Sequence, residues 1–221
     1  MTCLDYTAPE GASPLVEQKP YMPYNRRLIY GVGRNDYPTP THVNGKDLRS
    51  YSIWCGVLER CYSAKFQQSR PTYAGCSVVK EWLSFTTFEK WFTDSYVEGW
   101  KLDKDILVPG NRVYGPETCV FVTQALNSLL LDCRVARGKY PLGVCFHKAT
   151  QKYTATIHTG AGQRHLGCFT TPLAAHQAWQ LAKSAHIKAA ETCNPRVRAA
   201  LDLRVVKLSD DRANGRITTK L

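Results

Sequence analysis

Apolar and polar positions follow two rhythms along this chain, and each predicts its own kind of element. Between Tyr51 and Tyr62 the apolar residues Trp54, Val57, Leu58 and Cys61 fall at i, i+3, i+4 and i+7, one face of a helix, with Glu59 and Arg60 on the other. A second helix is predicted from Ser84 as N-cap, carrying Phe85, Phe88, Trp91 and Phe92 on one side. Further along the period shortens to two. Tyr140 to Phe146, Lys152 to His158 and Arg164 to Phe169 read as three short strands, and Pro172 opens a helix reaching Ala190, striped by Ala175, Ala178, Trp179, Ala182 and Ile187. Alternation turns Val144, Tyr153, Ala155, Ile157 and Leu166 toward that helix. It turns Cys145, His147, Thr154, Thr156, His158, Gln163 and His165 outward.

Between these regions lies a stretch with a different character, Asp103 to Asn127. Leu102, Ile106 and Leu107 surround the acidic pair Asp103 and Asp105, and Pro109-Gly110-Asn111 is turn punctuation, so a strand is predicted to enter a turn. A second strand follows at Cys119 to Val122. Thr123 then caps a short helix carrying Leu126, Asn127, Leu129 and Leu130. On a regular strand Asp105 would share the face of Asp103 and Lys104 would point away. Asn44-Gly45 predicts a hairpin, and the Pro-rich opening of the chain predicts an extended arm.

The fold class is therefore α+β: a strand–turn–strand–helix module with flanking helices, followed by a three-stranded antiparallel sheet packed on one helix. Its expected division is an arm over 1–27, the first module over 28–132, the sheet and helix over 138–191, and a basic tail over 192–221. The first half of that tail is predicted helical and the end, from Arg212, frayed, with its basic residues on a solvated face.

Charge narrows the function. With 29 Lys and Arg against 18 Asp and Glu, the net charge of +11 attracts polyanions. No apolar run reaches the length of a spanning helix and the N-terminus lacks a signal-peptide pattern, which points to a cytoplasmic protein and to nucleic acid over membrane. Cys133 to Ala190 contains no acidic residue, while Arg134, Arg137, Lys139, Lys148, Lys152 and Arg164 lie within it. One-sided charge of this kind suits phosphate neutralisation. The nine cysteines include no CxxC pair, so Cys55, Cys61, Cys76 and Cys119 read as buried thiols rather than a structural zinc site.

Several blocks, in order, carry a family resemblance: IYGVG at Ile29 to Gly33, RCYS at Arg60 to Ser63, PTYAGCSV at Pro71 to Val78, LDKDIL at Leu102 to Leu107, YGPETCVFV at Tyr114 to Val122 and HLGCFTTP at His165 to Pro172. Together they resemble phage-encoded HNH (His-Me finger) endonucleases with a C-terminal Apetala2-type DNA-binding domain. That resemblance implies a ββα-metal module binding one divalent ion, Mg²⁺ or Mn²⁺, through Asp103 and Asn127. It implies hydrolysis of double-stranded DNA, as a homing-type nickase or a double-strand nuclease. The Apetala2-type likeness implies DNA contacts from the outward face and its turns: His147, Lys148, Lys152, Thr154, Thr156, His158, Gln163, Arg164 and His165.

The sequence departs from the family at the general base. Lys104 stands where a histidine would deprotonate water, and Thr118 where a structural Asn would stand. A solvated lysine, with a pKa of about 10.4, is a poor base near neutrality. Three alternatives remain open: burial or the metal activates Lys104, Asp105 substitutes for it, or the module binds DNA or a host protein without cutting. An RNA-associated role fits the charge but not a groove-reading sheet.

Overall fold

The computed structural model describes residues 27–130, 139–160 and 162–221. The predicted arm, apart from Arg27, lies outside them, as do Arg134 and Arg137. The described chain is a mixed α+β fold built on two large apolar cores that meet at one strand, with a small third cluster around Val144, Ala155 and Ala175.

The first core belongs to the N-terminal helices. A hairpin of β1 (His42–Val43) and β2 (Lys46–Asp47) turns at Asn44 and Gly45, whose φ of 52° and 75° lie in the left-handed region that this dipeptide tolerates. Helix α1 (Arg49–Tyr62) then buries Trp54, Val57, Leu58 and Cys61, the predicted stripe. A short α2 (Ala64–Ser69) leads to β3 (Ser77–Val78). Helix α3 (Phe85–Ser95) starts where predicted: Ser84 Oγ accepts from the Thr87 amide, and the Asp36 carboxylate accepts from the Thr86 amide at 2.9 Å. Trp54, Trp82, Phe85 and Phe88 fill the space between the helices, and the Trp54 indole satisfies its N–H on the Trp82 carbonyl at 2.6 Å. Burying aromatic side chains of this size contributes roughly 1.5–3 kcal/mol each.

Strand β4 (Lys101–Asp103) pairs antiparallel with β6 (Val120–Val122), Leu102 opposite Phe121. Between them β5 (Val113–Tyr114) leaves the pair and runs parallel to β3. Helix α4 (Gln124–Leu129) follows at once, capped by Thr123 Oγ1. All three residues of β6 are buried, because the strand is covered on both faces: Phe121 joins the first core, stacked on Trp91 at 5.3 Å, while Val120 and Val122 join the second. A run with no polar position is what such double coverage requires.

The second core is shared between the β4–β6–α4 unit and the C-terminal half. Strands β7 (Val144–His147), β8 (Lys152–Thr159) and β9 (Gly162–Phe169) form an antiparallel sheet in that order. Helix α5 (Pro172–Lys188), capped by Thr171, lies across it, and α6 (Pro195–Ala213), capped by Asn194, packs on α5. Ile106, Val120, Val122, Leu126 and Leu129 thereby meet Ile157, Trp179, Ile187 and Leu201. Gly143 permits the closest approach: its φ is +74°, and a Cβ there would lie 1.9 Å from Trp179 Cδ1.

The tail differs from its expectation. Helix α6 continues to Ala213, and the segment after it is pinned, with Thr218 fully buried. Thr218 Oγ1 accepts from Gln180 Nε2 at 3.0 Å and donates to Asp211 Oδ2 at 2.9 Å. A polar network substitutes here for the apolar patterning that would have announced an ordered end.

Candidate functional site

Strand β4 stops at Asp103 for a local reason. Oδ1 of Asp103 accepts hydrogen bonds from the amides of Asp105 at 2.7 Å and Ile106 at 2.6 Å, so the carboxylate caps a turn of its own making. The strand therefore does not extend through Asp105, and the same-face relation of Asp103 and Asp105 that a regular strand would impose does not apply. Ile106, 2% exposed, anchors the turn in the second core.

Lys104 is committed within the same loop. Its ammonium pairs with Asp105 Oδ2 at 2.7 Å and donates to the Asn111 carbonyl at 2.8 Å, with only 11% of the side chain exposed. Asn111 returns the bond, its amide donating to the Lys104 carbonyl at 3.0 Å and to the Val113 carbonyl at 2.6 Å. Both contacts tie the Lys104 amino group to its own loop. Thr118 is likewise a turn brace, its hydroxyl donating to the Val113 carbonyl at 2.6 Å.

Asp103, Asp105 and Asn127 line a single cleft of about 990 Å³. Asn127 reaches it from α4, and its side-chain amide makes no hydrogen bond among the described residues. Burial lifts the Asp103 carboxyl above its ordinary range, outweighing the two backbone amides that favour its charged form. Around the carboxylates the cleft is cationic: Arg112, Lys139, Arg204 and Lys220 line it. One wall is the C-terminal segment from Ile217 to Leu221.

The oxygen donors that line the cleft are of the type a hard divalent cation takes. Asp103 Oδ2, Asp105 Oδ1 and the Asn127 carbonyl are oxygen atoms without a bonded partner among the described residues. Mg²⁺ is commonly held by one or two carboxylates together with water and substrate phosphate. Among the described residues no group of three or more His, Cys, Asp or Glu is placed to hold a metal. Among the described residues no histidine lines the cleft. Burial pushes the Cys61 thiol up to about 12 and the Cys119 thiol to about 11, so both are neutral thiols in the first core.

The sheet brings most of the remaining predicted residues to one face. His147 pairs with Lys152, Thr156 with His165 and His158 with Gln163, all on the side away from α5, and Lys148 stands in the β7–β8 turn. Gln163 Nε2 donates to Thr156 Oγ1 at 3.0 Å, and Thr154 lies beside Cys168. Arg164 is the exception. It is opposite Ile157, which is 2% exposed, and so belongs to the helix side of the sheet, where its charge helps to lower the His186 pKa behind burial and Lys183. The register slips between Ala155 and Thr156, leaving Leu166 as the extra residue of β9.

No family model, no curated protein and no solved structure matches the chain. Sequence reasoning missed Arg112, Lys139, Arg204 and Lys220 as cleft residues. For Arg204 a signal existed: it sits three residues after Leu201 and four before Leu208, within the apolar stripe of α6. None of the described helices is long and apolar enough to cross a membrane.

Proposed function

We propose that this protein binds double-stranded DNA and hydrolyses its backbone at the cleft, as an HNH-type endonuclease using one Mg²⁺ or Mn²⁺ ion held by Asp103 and Asn127. The observation that carries this reading is the convergence of Asp103, Asp105 and Asn127 in one cleft ringed by cations. Such an ion, when bound, stabilises negative charge on the scissile phosphate. Arg112, Lys139 and Lys220 hold the flanking phosphates. Asp105 Oδ1, free of Lys104, accepts the proton of the attacking water, since Lys104 is already paired. The outward face of the sheet, with Lys148 and Lys152, grips the duplex in the manner of an Apetala2-type domain, through phosphate contacts more than base reading.

A second reading is favoured by one specific observation, the Lys104–Asp105 pair in a cleft without histidine among the described residues. In it the module is a retired nuclease that binds DNA, or a host protein, without cutting. Supercoiled plasmid incubated with the protein and Mg²⁺, Mn²⁺ or chelator separates the two, with Asp103→Ala as control. Metal-dependent relaxation lost in the variant supports hydrolysis. Plasmid bound but uncut in every metal, with cognate-site substrates included, replaces the first reading by the second.

A further inference from the structure

Arg204 is a full cation placed where α6 should be apolar. It is 3% exposed, among Val197, Ala200, Leu201, Val205 and Leu208. A buried guanidinium is unfavourable unless hydrogen bonds and opposite charge balance it. Here Nη1 donates to the Ala200 carbonyl at 2.8 Å, one turn back on its own helix, and Nη2 donates to the Asp105 carbonyl at 3.0 Å, across the cleft wall. Nε has no partner among the described residues. The opposite charge comes from Asp103 and Asp105, which raise the Arg204 pKa while burial, the larger effect, lowers it.

The mode of contact is informative. Arg204 reaches the acidic turn through a backbone carbonyl and spends neither carboxylate. The Asp105 residue is therefore fixed from both sides, its amide by Asp103 Oδ1 and its carbonyl by Arg204 Nη2. Oδ2 of Asp103 and Oδ1 of Asp105 stay available to the cleft, with a counter-charge nearby. An arginine serving only to close the helix against the core would gain more from bonding a carboxylate outright.

We propose that Arg204 is a positioning residue of the cleft, holding the Asp103–Asp105 turn so that both carboxylates are presented to a phosphodiester. This assignment rests on the nuclease reading for its catalytic consequence, though not for its geometric one. The test compares Arg204→Met and Arg204→Lys with the wild-type full chain in Mn²⁺-dependent plasmid nicking, alongside amide hydrogen exchange. Arg204→Met is expected to lower kcat by about tenfold or more, as displaced reacting groups do, with KM for plasmid changed less than about twofold. Arg204→Lys keeps the charge and restores part of kcat. In both variants the Asp105 and Ile106 amides lose protection while the Leu126 amide, bonded to Thr123, keeps it.

Wild-type kcat in Arg204→Met overturns the proposal, and so does unchanged protection at Asp105 and Ile106, or loss spread evenly over both cores. If Arg204→Met does not fold, Arg204→Lys carries the same comparison, because a lysine cannot bond both carbonyls as the guanidinium fork does. If the wild type nicks nothing, the nuclease reading fails, and local against uniform exchange still decides whether Arg204 holds the turn.

Discussion

The Thr218 amide donates to Nε2 of His176 at 2.9 Å, and this bond fixes the state of a fully buried imidazole. Because Nε2 accepts, Nδ1 carries the proton and donates to the Leu142 carbonyl at 2.9 Å. One neutral ring thus ties the C-terminal segment to the loop that enters the sheet. Replacing His176 by Ala removes the partner of both backbone groups and leaves a cavity beside Trp179, which stacks on the ring at 5.3 Å. We expect a loss of about 3 kcal/mol in a urea titration with unchanged slope. A loss below about 1 kcal/mol would show that the segment is held by other contacts.

The same segment depends on Asp211, and this dependence has a pH signature. Bonds from Lys207 first, then from Thr218 and Arg216, hold the Asp211 carboxyl below its ordinary range. A depressed carboxyl stabilises the fold above its unfolded value, about 3.9, and the contribution is lost as pH falls through the folded value. Asp211→Asn should therefore be less stable than wild type at neutral pH, with the gap closing below about pH 4. Urea midpoints measured across that range test it, and a gap constant with pH would remove the carboxylate charge from the explanation.

Much of this architecture was legible because it follows from periodicity. The sheet and α5 could be read from alternation, interrupted at Leu166, and from the Thr171-Pro172 helix start, and α1 and α3 from their apolar stripes. The candidate site was less legible, because its geometry comes from bonds that periodicity does not encode. Asp103 ends its strand by capping the two amides that follow, so Lys104 and Asp105 leave the strand that their apolar neighbours suggested. Thr218 looks solvated in sequence because a polar residue buried by partners far along the chain carries no local mark, whereas the mark of Arg204 was its place within the apolar stripe of α6. Arg164 is a different case: it stands between Gln163 and His165, both outward, so alternation alone turns it to the helix side, and the slip at Leu166 lies beyond it.

Divalent-ion binding can be measured without cleavage. If Asp103 and Asn127 hold the ion, Mn²⁺ at tenfold its dissociation constant should stabilise the wild type by about 1.4 kcal/mol. Asp103→Ala and Asn127→Ala should show little of this gain, and chelator should abolish it in the wild type. Equal stabilisation of all three proteins would place the ion elsewhere.

The sheet gives a sharper test of DNA contact, because its two faces make opposite predictions. Lys152 shares the outward face with His147, and Lys148 stands in the adjoining turn, whereas Arg164 lies on the helix side opposite Ile157. All three are exposed and carry the same charge, so net charge alone would make them equivalent. If the outward face meets the duplex, Lys148→Glu and Lys152→Glu should each weaken binding and reduce the slope of log affinity against log salt by about 0.9, the value for one phosphate contact. Arg164→Glu should change affinity less and leave that slope nearly intact, since at distances beyond about 8–10 Å its charge is screened. Fluorescence anisotropy on a short duplex across a salt series reads both quantities. Equal effects from all three reversals would mean that the protein meets DNA through its overall charge rather than through this face.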